Sequence, residues 1–285
     1  MIDCPKLIQL NIMVNKWLII NTLRNNHIFT RKIKSIAIDT SSISSGRYAV
    51  TARCNIDGSL DDMLIKCYLM RPRRAKQIYG SLYLKGELGI YKTDGTMEYI
   101  DVALSNWVDG VPLNEIIDDP DIDHHRLSRN FDILAHDVLT SQRCHIDIKP
   151  DNIIVRADDS MALIDNDALR CNIPTAPQSV NDELARVRDR YAELIHKATT
   201  HYSLALVSTM LAALAHDYKA TIHYVETGVF EDSKSRRHAE ALERCKWLFV
   251  SAHDDDHLAI VEALISNSLT FDLLHERLRA ILALP

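Results

Sequence analysis

The six cysteines of this 285-residue chain are scattered, and the sequence contains no C-x-x-C pair. This pattern is typical of free thiols in a reducing compartment, and it argues against a disulfide framework or a cysteine-based zinc site. The chain also lacks an excess of positive charge, since its formal net charge is −6. A general electrostatic attraction to nucleic acid or to anionic lipid needs the opposite sign. We therefore expect no nucleic-acid partner and no membrane partner.

Long apolar runs are missing as well. The first 20 residues are apolar only in patches, because Asn11, Asn15 and Lys16 interrupt them. This stretch has neither the length of a membrane span nor the small-residue cleavage site of a signal peptide. The expected location is therefore the cytoplasm, and delivery into a host cell by a secretion machine that cleaves no signal stays open.

What is present is an ordinary globular composition, with 47% apolar and 25% charged residues. Alternating apolar residues predict strands in the first part of the chain, including one at 63–69 and one at 99–108. A helix is predicted from residue 75 to about 85, and the spacing after residue 110 becomes helical. The sequence therefore predicts an α+β protein with an N-terminal extension at 1–30, a strand-rich unit at 31–106 and a mainly helical unit at 107–285.

The densest polar motif is H-x-D-x-K-P-x-N, formed by residues 145–152 and followed at once by an apolar strand. It resembles the catalytic loop of the eukaryotic-type Ser/Thr protein kinase superfamily, and the chain looks most like a compact, divergent, bacterial member. The resemblance implies that Asp147 is the catalytic base and that Lys149 neutralises the transferring phosphoryl group. It also implies that Asn152 binds a second magnesium ion and that His145 is structural.

A second motif, in which an apolar strand leads into Asp165, Asn166 and Asp167, stands where the family has D-F-G. Asp165 then matches the other metal ligand, which with Asn152 suits the preference of Mg²⁺ for oxygen, and Mn²⁺ is an alternative ion. The missing Phe and Gly depart from the family pattern. Asp167 is either a further ligand or a helix cap, and we favour the cap.

The nucleotide-binding positions come from the same resemblance. Lys66 on a predicted strand matches the lysine that pairs with the α- and β-phosphates of ATP. Glu87 is the candidate for the helical glutamate that holds this lysine, because it is the only carboxylate between Lys66 and Asp94. Only Gly46 survives of the family's glycine-rich loop. Asn106 and Val108 match the hinge residues whose backbone groups would bind adenine.

These matches imply a bilobal kinase-like fold, with a small antiparallel sheet and a helical lobe, and ATP- and Mg²⁺-dependent phosphorylation of Ser or Thr in a protein substrate. Two alternatives stay open. A pseudokinase that binds partners would explain the eroded glycine-rich loop, the D-N-D sequence and the missing A-P-E motif. A kinase-fold enzyme with a non-protein acceptor would explain the absence of peptide-docking landmarks.

Three further features of the C-terminal half bear on this interpretation. Thr200 stands where the family's central helix carries an aspartate. The stretch 175–178 is the nearest match to A-P-E, so the activation segment is expected to be short and activity to need no loop phosphorylation. The cluster 253–257, with two histidines and three aspartates, could bind a metal, but an acidic N-cap before a helix is the favoured interpretation.

Overall fold

The computed structural model describes residues 4–25, 29–46, 48–69, 75–141, 144–145, 147–165, 169–170, 180–229 and 233–284. The chain divides into two compact units, Met1–Trp107 and Val108–Pro285. This division falls one residue beyond the boundary expected from the sequence. The first unit is dominated by an antiparallel sheet and the second by helices, so the predicted α+β class is confirmed at that level.

The first unit is built on a seven-stranded antiparallel sheet with the order β1-β6-β7-β5-β4-β2, and β3 pairs with β4. Hairpin turns with residues at positive φ connect several neighbours, as at Asp57 and Gly58 between β4 and β5. The strands are β1 (Phe29–Thr30), β2 (Ile36–Ile38), β3 (Ser44–Ser45), β4 (Ala49–Ile56), β5 (Met63–Tyr68), β6 (Tyr83–Tyr91) and β7 (Met97–Asn106).

One face of this sheet is covered by helix α1 (Cys4–Arg24). Ile19 and Leu23 of α1 are buried together with Val50, Ile65 and Val102 of three strands. Because strand side chains alternate between faces, these apolar residues at every second position form one continuous layer. The residues set apart as an N-terminal extension therefore pack within the first unit, and β1 adds a strand to its sheet.

The helix predicted from residue 75 to about 85 is wrong in its second half. Helix α2 covers only Ala75–Tyr79, a 3₁₀ turn follows at Gly80–Leu82, and Tyr83 already begins β6. Gly80 has a φ of +56°, which is costly for other residues and ends the helix. The strand was obscured because its pairing with β7 shifts register between Leu84 and Leu88, which breaks the alternation.

The second unit is mainly helical, as predicted. Its short strands form two small sheets: β8 (Val111–Pro112), β10 (Ile153–Val155) and β11 (Met161–Leu163) in one, and β9 (Cys144–His145) with β12 (Leu169–Arg170) in the other. The helices are α3 (His124–Thr140), α4 (Val180–His216), α5 (Tyr218–Thr227), α6 (Arg236–Ala252), α7 (Asp255–Ile265) and α8 (Phe271–Ile281).

The second half of α4 is the centre of this helical core. Leu204, Val207, Met210 and Leu211 are fully buried and pack with residues of the surrounding helices. In the described part of the chain, Lys197–His216 is the one stretch long and apolar enough to cross a membrane, and 67% of its most apolar window is buried inside the protein. Such burial is what a central core helix shows.

Candidate active site

The H-x-D-x-K-P-x-N motif forms the loop between β9 and β10. Pro150–Asn152 make a 3₁₀ turn, in which proline fits because the first turn of a helix needs no N–H donor from it. The backbone N–H of Asn152 donates to the carbonyl of Lys149 at 2.9 Å, which closes the turn. The fully apolar β10 follows and is buried, so it anchors the loop to the core of the second unit.

Three of the predicted site residues meet in this loop, the catalytic candidates Asp147 and Lys149 and the metal-ligand candidate Asn152. The side-chain amide of Asn152 donates to the carboxylate Oδ2 of Asp147 at 2.9 Å and to the backbone carbonyl of Asp147 at 2.8 Å. The ammonium of Lys149 lies 3.3 Å from the same Oδ2, and both charged side chains are nearly half exposed. Asp147 is therefore held in one orientation by two neighbours and still has access to solvent.

Asp165 is tied to the same loop through the backbone. The N–H of Ile164 donates to the carbonyl of Asn152 at 2.9 Å, where β11 ends beside the start of β10. Asp165 follows immediately and has a φ of +65°, a left-handed conformation that only a few per cent of non-glycine residues adopt. Aspartate tolerates this region better than most residues, and such strain is concentrated at functional sites.

His145 connects Asp147 of the catalytic loop to Ile164, the residue before Asp165. Its side chain is buried, its Nε2–H donates to the carbonyl of Ile164 at 3.0 Å, and its Nδ1 accepts from the N–H of Asp147 at 3.4 Å. Burial lowers the pKa of His145 below its usual value, against the opposing effect of the bond to Ile164. A neutral ring with one donor and one acceptor is what this arrangement needs.

Thr200 on α4 completes this network. Its hydroxyl donates to the backbone carbonyl of His145 at 3.2 Å, and the residue is 2% exposed. The sequence marked Thr200 as a substitution for an expected aspartate but assigned it no contact. The position in the apolar half of α4 was the available signal, because a buried hydroxyl needs a partner.

Asn152 and Asp165 are the residues that the kinase resemblance assigns to a divalent cation. Both amide hydrogens of Asn152 point toward Asp147, so the Oδ1 of Asn152 is the atom left to accept a cation. The carboxylate of Asp165 comes directly after the residue bonded to Asn152. Within the described residues no group of three or more His, Cys, Asp or Glu could hold a metal alone. Two protein oxygens completed by phosphate and water are the usual arrangement for Mg²⁺.

Lys66 lies in the first unit, on β5, in a position that matches the prediction of a strand lysine. Its cross-strand neighbours are Thr51 on β4 and Ala103 on β7, and its ammonium lies 6.0 Å from the centroid of the Tyr68 ring. The side chain is half-buried and points to the sheet face opposite the one that α1 covers, because the adjacent Ile65 belongs to the covered face.

Glu87 does not fill the role predicted for it. It lies on β6 rather than on a helix, is fully buried, and uses Oε1 to accept backbone N–H groups of residues 31–33, at 3.0 and 2.8 Å for the first and last of them. Lys66 and Glu87 are both described, and no ion pair joins them. The carboxylate instead fastens the chain after β1 to the sheet. Glu87 is not helical because α2 ends at Tyr79, well before residue 87.

The remaining predicted positions fall on turns, strand ends and the unit boundary. Gly46 lies in the β3–β4 hairpin, where its N–H donates to the carbonyl of Ala49 at 2.9 Å. Asn106 ends β7 in the first unit, and Val108 begins the second unit. Asn166, Asp167 and the stretch 175–178 lie outside the described residues. Asp254 caps α7 by accepting the N–H of His257, so the helix-cap interpretation of the acidic cluster is confirmed.

A scan against protein-family models finds no family that matches the chain. A search of curated proteins also finds no match. The case for a function therefore rests on the residues of the site themselves.

Proposed function

We propose that this protein is a kinase that transfers the γ-phosphoryl group of ATP to a Ser or Thr hydroxyl of a protein substrate. Asp147 accepts the proton of the attacking hydroxyl while the oxygen of that hydroxyl bonds to the γ-phosphorus. The bond between that phosphorus and the β–γ bridging oxygen breaks, and ADP leaves with the electron pair. Lys149 neutralises charge on the transferring group, and Lys66 binds the α- and β-phosphates.

The observation that carries this proposal is the orientation of Asp147. A catalytic base must be ionised, accessible and fixed within hydrogen-bonding reach of its substrate. Asn152 donates to Oδ2 and the ammonium of Lys149 forms an ion pair with the same oxygen, so the second oxygen is the one left to a substrate hydroxyl. Most of the catalytic power in phosphoryl transfer comes from positioning and charge neutralisation, and this loop supplies both.

The residues of the site and the fold support the same proposal. Asn152 and Asp165 would hold Mg²⁺, which would supply charge neutralisation for phosphoryl transfer. The antiparallel sheet followed by a helical unit is compatible with the bilobal kinase-like architecture. A strand lysine in the first unit and a base, an amide and a carboxylate in the second occur in the order that this architecture requires.

Transfer of labelled γ-phosphate from Mg-ATP to a mixed protein acceptor tests the proposal directly. The full chain should label protein, and Asp147→Asn should reduce the rate by on the order of a thousandfold, because general-base catalysis and substrate orientation are lost together. Asp151→Asn is the matched control, since Asp151 is an exposed carboxylate in the same turn and should leave the rate unchanged. Equal rates for the two variants would refute the role of Asp147.

A pseudokinase that binds partners is the second candidate, and the eroded glycine-rich loop favours it, because only Gly46 of that motif is present. Thermal stabilisation by Mg-ATP without any labelled product would support this candidate. Labelling of a small molecule instead of protein would point to a non-protein acceptor.

A further inference from the structure

A network of mostly buried polar groups joins three helices of the helical unit, α3, α4 and α7. The hydroxyl of Ser208 on α4 donates to Oδ1 of Asp132 on α3 at 2.6 Å. Oδ2 of Asp132 lies 3.6 Å from Nε2 of His257 on α7. Nδ1 of His257 lies 2.9 Å from Oδ2 of Asp254, the residue that caps α7, and His216 at the end of α4 lies 2.8 Å from the same oxygen.

The inner members of this network are shielded from water. Ser208, Asp132 and His257 are 0%, 1% and 5% exposed, whereas the side chains of Asp254 and His216 are 20% and 26% exposed. The inner charged residues of this network therefore gain little stabilisation of their charge from water. Each must be stabilised by the others or lose its charge, because burying an unpaired charge is very costly.

The hydrogen-bond geometry decides which protonation state of His257 fits. Within the described residues, Nε2 of His257 and Oδ2 of Asp132 have no hydrogen-bond partner, and they face each other at 3.6 Å, the distance of an ion pair. A neutral ring protonated only on Nδ1 would turn a lone pair toward Asp132. A neutral ring protonated only on Nε2 would turn a lone pair toward Asp254. Only a ring with both nitrogens protonated can donate to both carboxylates.

Both carboxylates are already committed as acceptors. Asp132 accepts from Ser208, and Asp254 accepts from the backbone N–H of His257 at 3.2 Å as the cap of α7. Ionised carboxylates are acceptors only, so these contacts favour two anions with the cation between them. Phe249 of α6 packs against the ring of His257 at 5.5 Å and against that of His216 at 5.8 Å, which closes the cluster from the side of α6.

We propose that His257 is an imidazolium ion at neutral pH and that it fastens α3 and α4 to the start of α7, so that the helical unit becomes less stable as alkaline pH removes this charge. The proposal does not depend on the proposed function. These contacts of His257 would join elements that carry the catalytic loop, because α3 precedes that loop and Thr200 of α4 contacts it.

The direction of the pH effect follows from the two pKa shifts. Burial opposes the charge, but hydrogen bonds with Asp132 and Asp254 outweigh it and raise the pKa of His257 from 6.5 to about 9. This stabilisation is complete below pH 6.5 and is lost as the pH rises toward 9. Asp254 is also buried, yet its bonds with His216 and His257 hold its pKa well below the usual value. Its contribution is lost only in acid, below its ordinary pKa of 3.8.

The test is a histidine-labelled NMR titration of the full chain between pH 5.5 and 10, with the His257 signal assigned by its absence in His257→Gln. We expect both ring nitrogens to be protonated at pH 7.5 and the midpoint to lie near 9. A midpoint at or below the ordinary value of 6.5 would overturn the proposal. This measurement is made on the unmodified protein, so it does not require a variant other than the assignment standard to fold.

Two aspartates of α3 provide a matched pair of variants. Asp132→Asn removes one of the two counter-charges, so it should lower the His257 midpoint by about one pH unit or more. Asp137→Asn changes a side chain that is 74% exposed and should leave the midpoint unchanged. In urea unfolding, raising the pH from 6 to 9.5 should increase the unfolding equilibrium constant of the normal chain by about tenfold more than that of Asp132→Asn, because each pH unit of midpoint shift is a factor of ten. Equal pH dependence of the two proteins would contradict the proposal that the charge on His257 stabilises the helical unit.

Discussion

A single glycine controls how the chain enters the second unit. Gly110 has a φ of +142°, and it lies so close to β10 that a Cβ atom would be 2.3 Å from the carbonyl oxygen of Val155 and 2.6 Å from Cγ2 of Ile154. Val111, the next residue, pairs with Val155 as part of β8. The absence of a side chain therefore allows the strand pair to form directly after the unit boundary.

Substitution of this glycine should be costly. Gly110→Ala combines an unfavourable φ with a clash against backbone, so we expect a loss of about 3 kcal/mol in the unfolding free energy of the second unit. Gly95→Ala is the control, because Gly95 has a φ of +80° but nothing within 4 Å, so only the cost of about 1 kcal/mol for the backbone conformation applies. Urea denaturation measures both, and equal costs would show that the close approach is unimportant.

Thr200 offers a second test at the residue scale. Thr200→Val keeps the shape of the side chain but removes the donor to the carbonyl of His145, which should cost about 1–2 kcal/mol of stability. Because that carbonyl belongs to the loop that holds Asp147, phosphoryl transfer should slow about tenfold with little change in the KM for ATP. Thr200→Ser retains the hydroxyl and should transfer phosphate nearly as fast as the unmodified protein. An equal rate loss in both variants would assign the effect to packing alone.

Among the elements, those with regular apolar spacing were the most predictable. The strands near 63–69 and 99–108 and the mainly helical part after residue 110 follow from pattern alone. The catalytic-loop residues also followed, because a local motif brings Asp147, Lys149 and Asn152 together within six positions. Their contacts depend on a turn rather than on distant parts of the chain.

The errors occurred where an element depends on distant partners. β6 carries a register shift, so its apolar residues do not alternate cleanly, and the sequence predicted helix there. Glu87 was assigned by elimination, since it was the only carboxylate in the interval. Its true partners are the backbone N–H groups of residues 31–33, more than 50 positions away, and backbone donors leave no trace in a sequence.

The contact between Glu87 and residues 31–33 predicts a role in attaching the N-terminal elements. Glu87→Ala leaves three N–H groups without their acceptor, so we expect a loss of about 3 kcal/mol and faster proteolysis between α1 and β2. Glu98→Ala on β7 is the control, because its carboxylate is 46% exposed and forms a surface ion pair with Lys92. A surface ion pair of this kind adds little to stability.

A different substitution of Glu87 tests whether this residue also contributes to catalysis as the partner of Lys66. If Glu87 only attaches the N-terminal elements, Glu87→Gln should keep an acceptor oxygen for residues 31–33 and should leave the transfer rate per folded molecule near that of the unmodified protein. A large fall in that rate, with stability unchanged, would restore Glu87 as the partner of Lys66.

At the scale of the whole molecule, each unit has a hydrophobic core of its own. Val50, Ile65 and Val102 belong to the core of the sheet unit, whereas Phe131 and Phe249 belong to that of the helical unit. A chain with two separate cores need not unfold in a single two-state transition. Stability effects of variants should therefore be measured for the unit that contains the substitution.

Free cysteines provide a probe for each core. Cys54 and Cys67 are buried in the sheet unit and Cys245 is buried in the helical unit, and none of the three forms a disulfide. Burial raises the pKa of Cys54 and of Cys245 to about 12, and it raises that of Cys67 as well. Because the thiolate is the reactive form, these thiols should react with a labelling reagent at pH 8 only after their unit opens.

Pulse labelling along a urea series, read by mass spectrometry of peptides, should then give one midpoint for Cys54 and Cys67 and a different midpoint for Cys245. Gly110→Ala should lower the midpoint of Cys245 and leave that of Cys54 and Cys67 nearly unchanged, because the clash with Val155 lies in the second unit. Glu87→Ala should have the opposite selectivity, since its contacts lie in the first unit. A common midpoint for all three cysteines in every variant would mean that the two cores unfold as one cooperative structure.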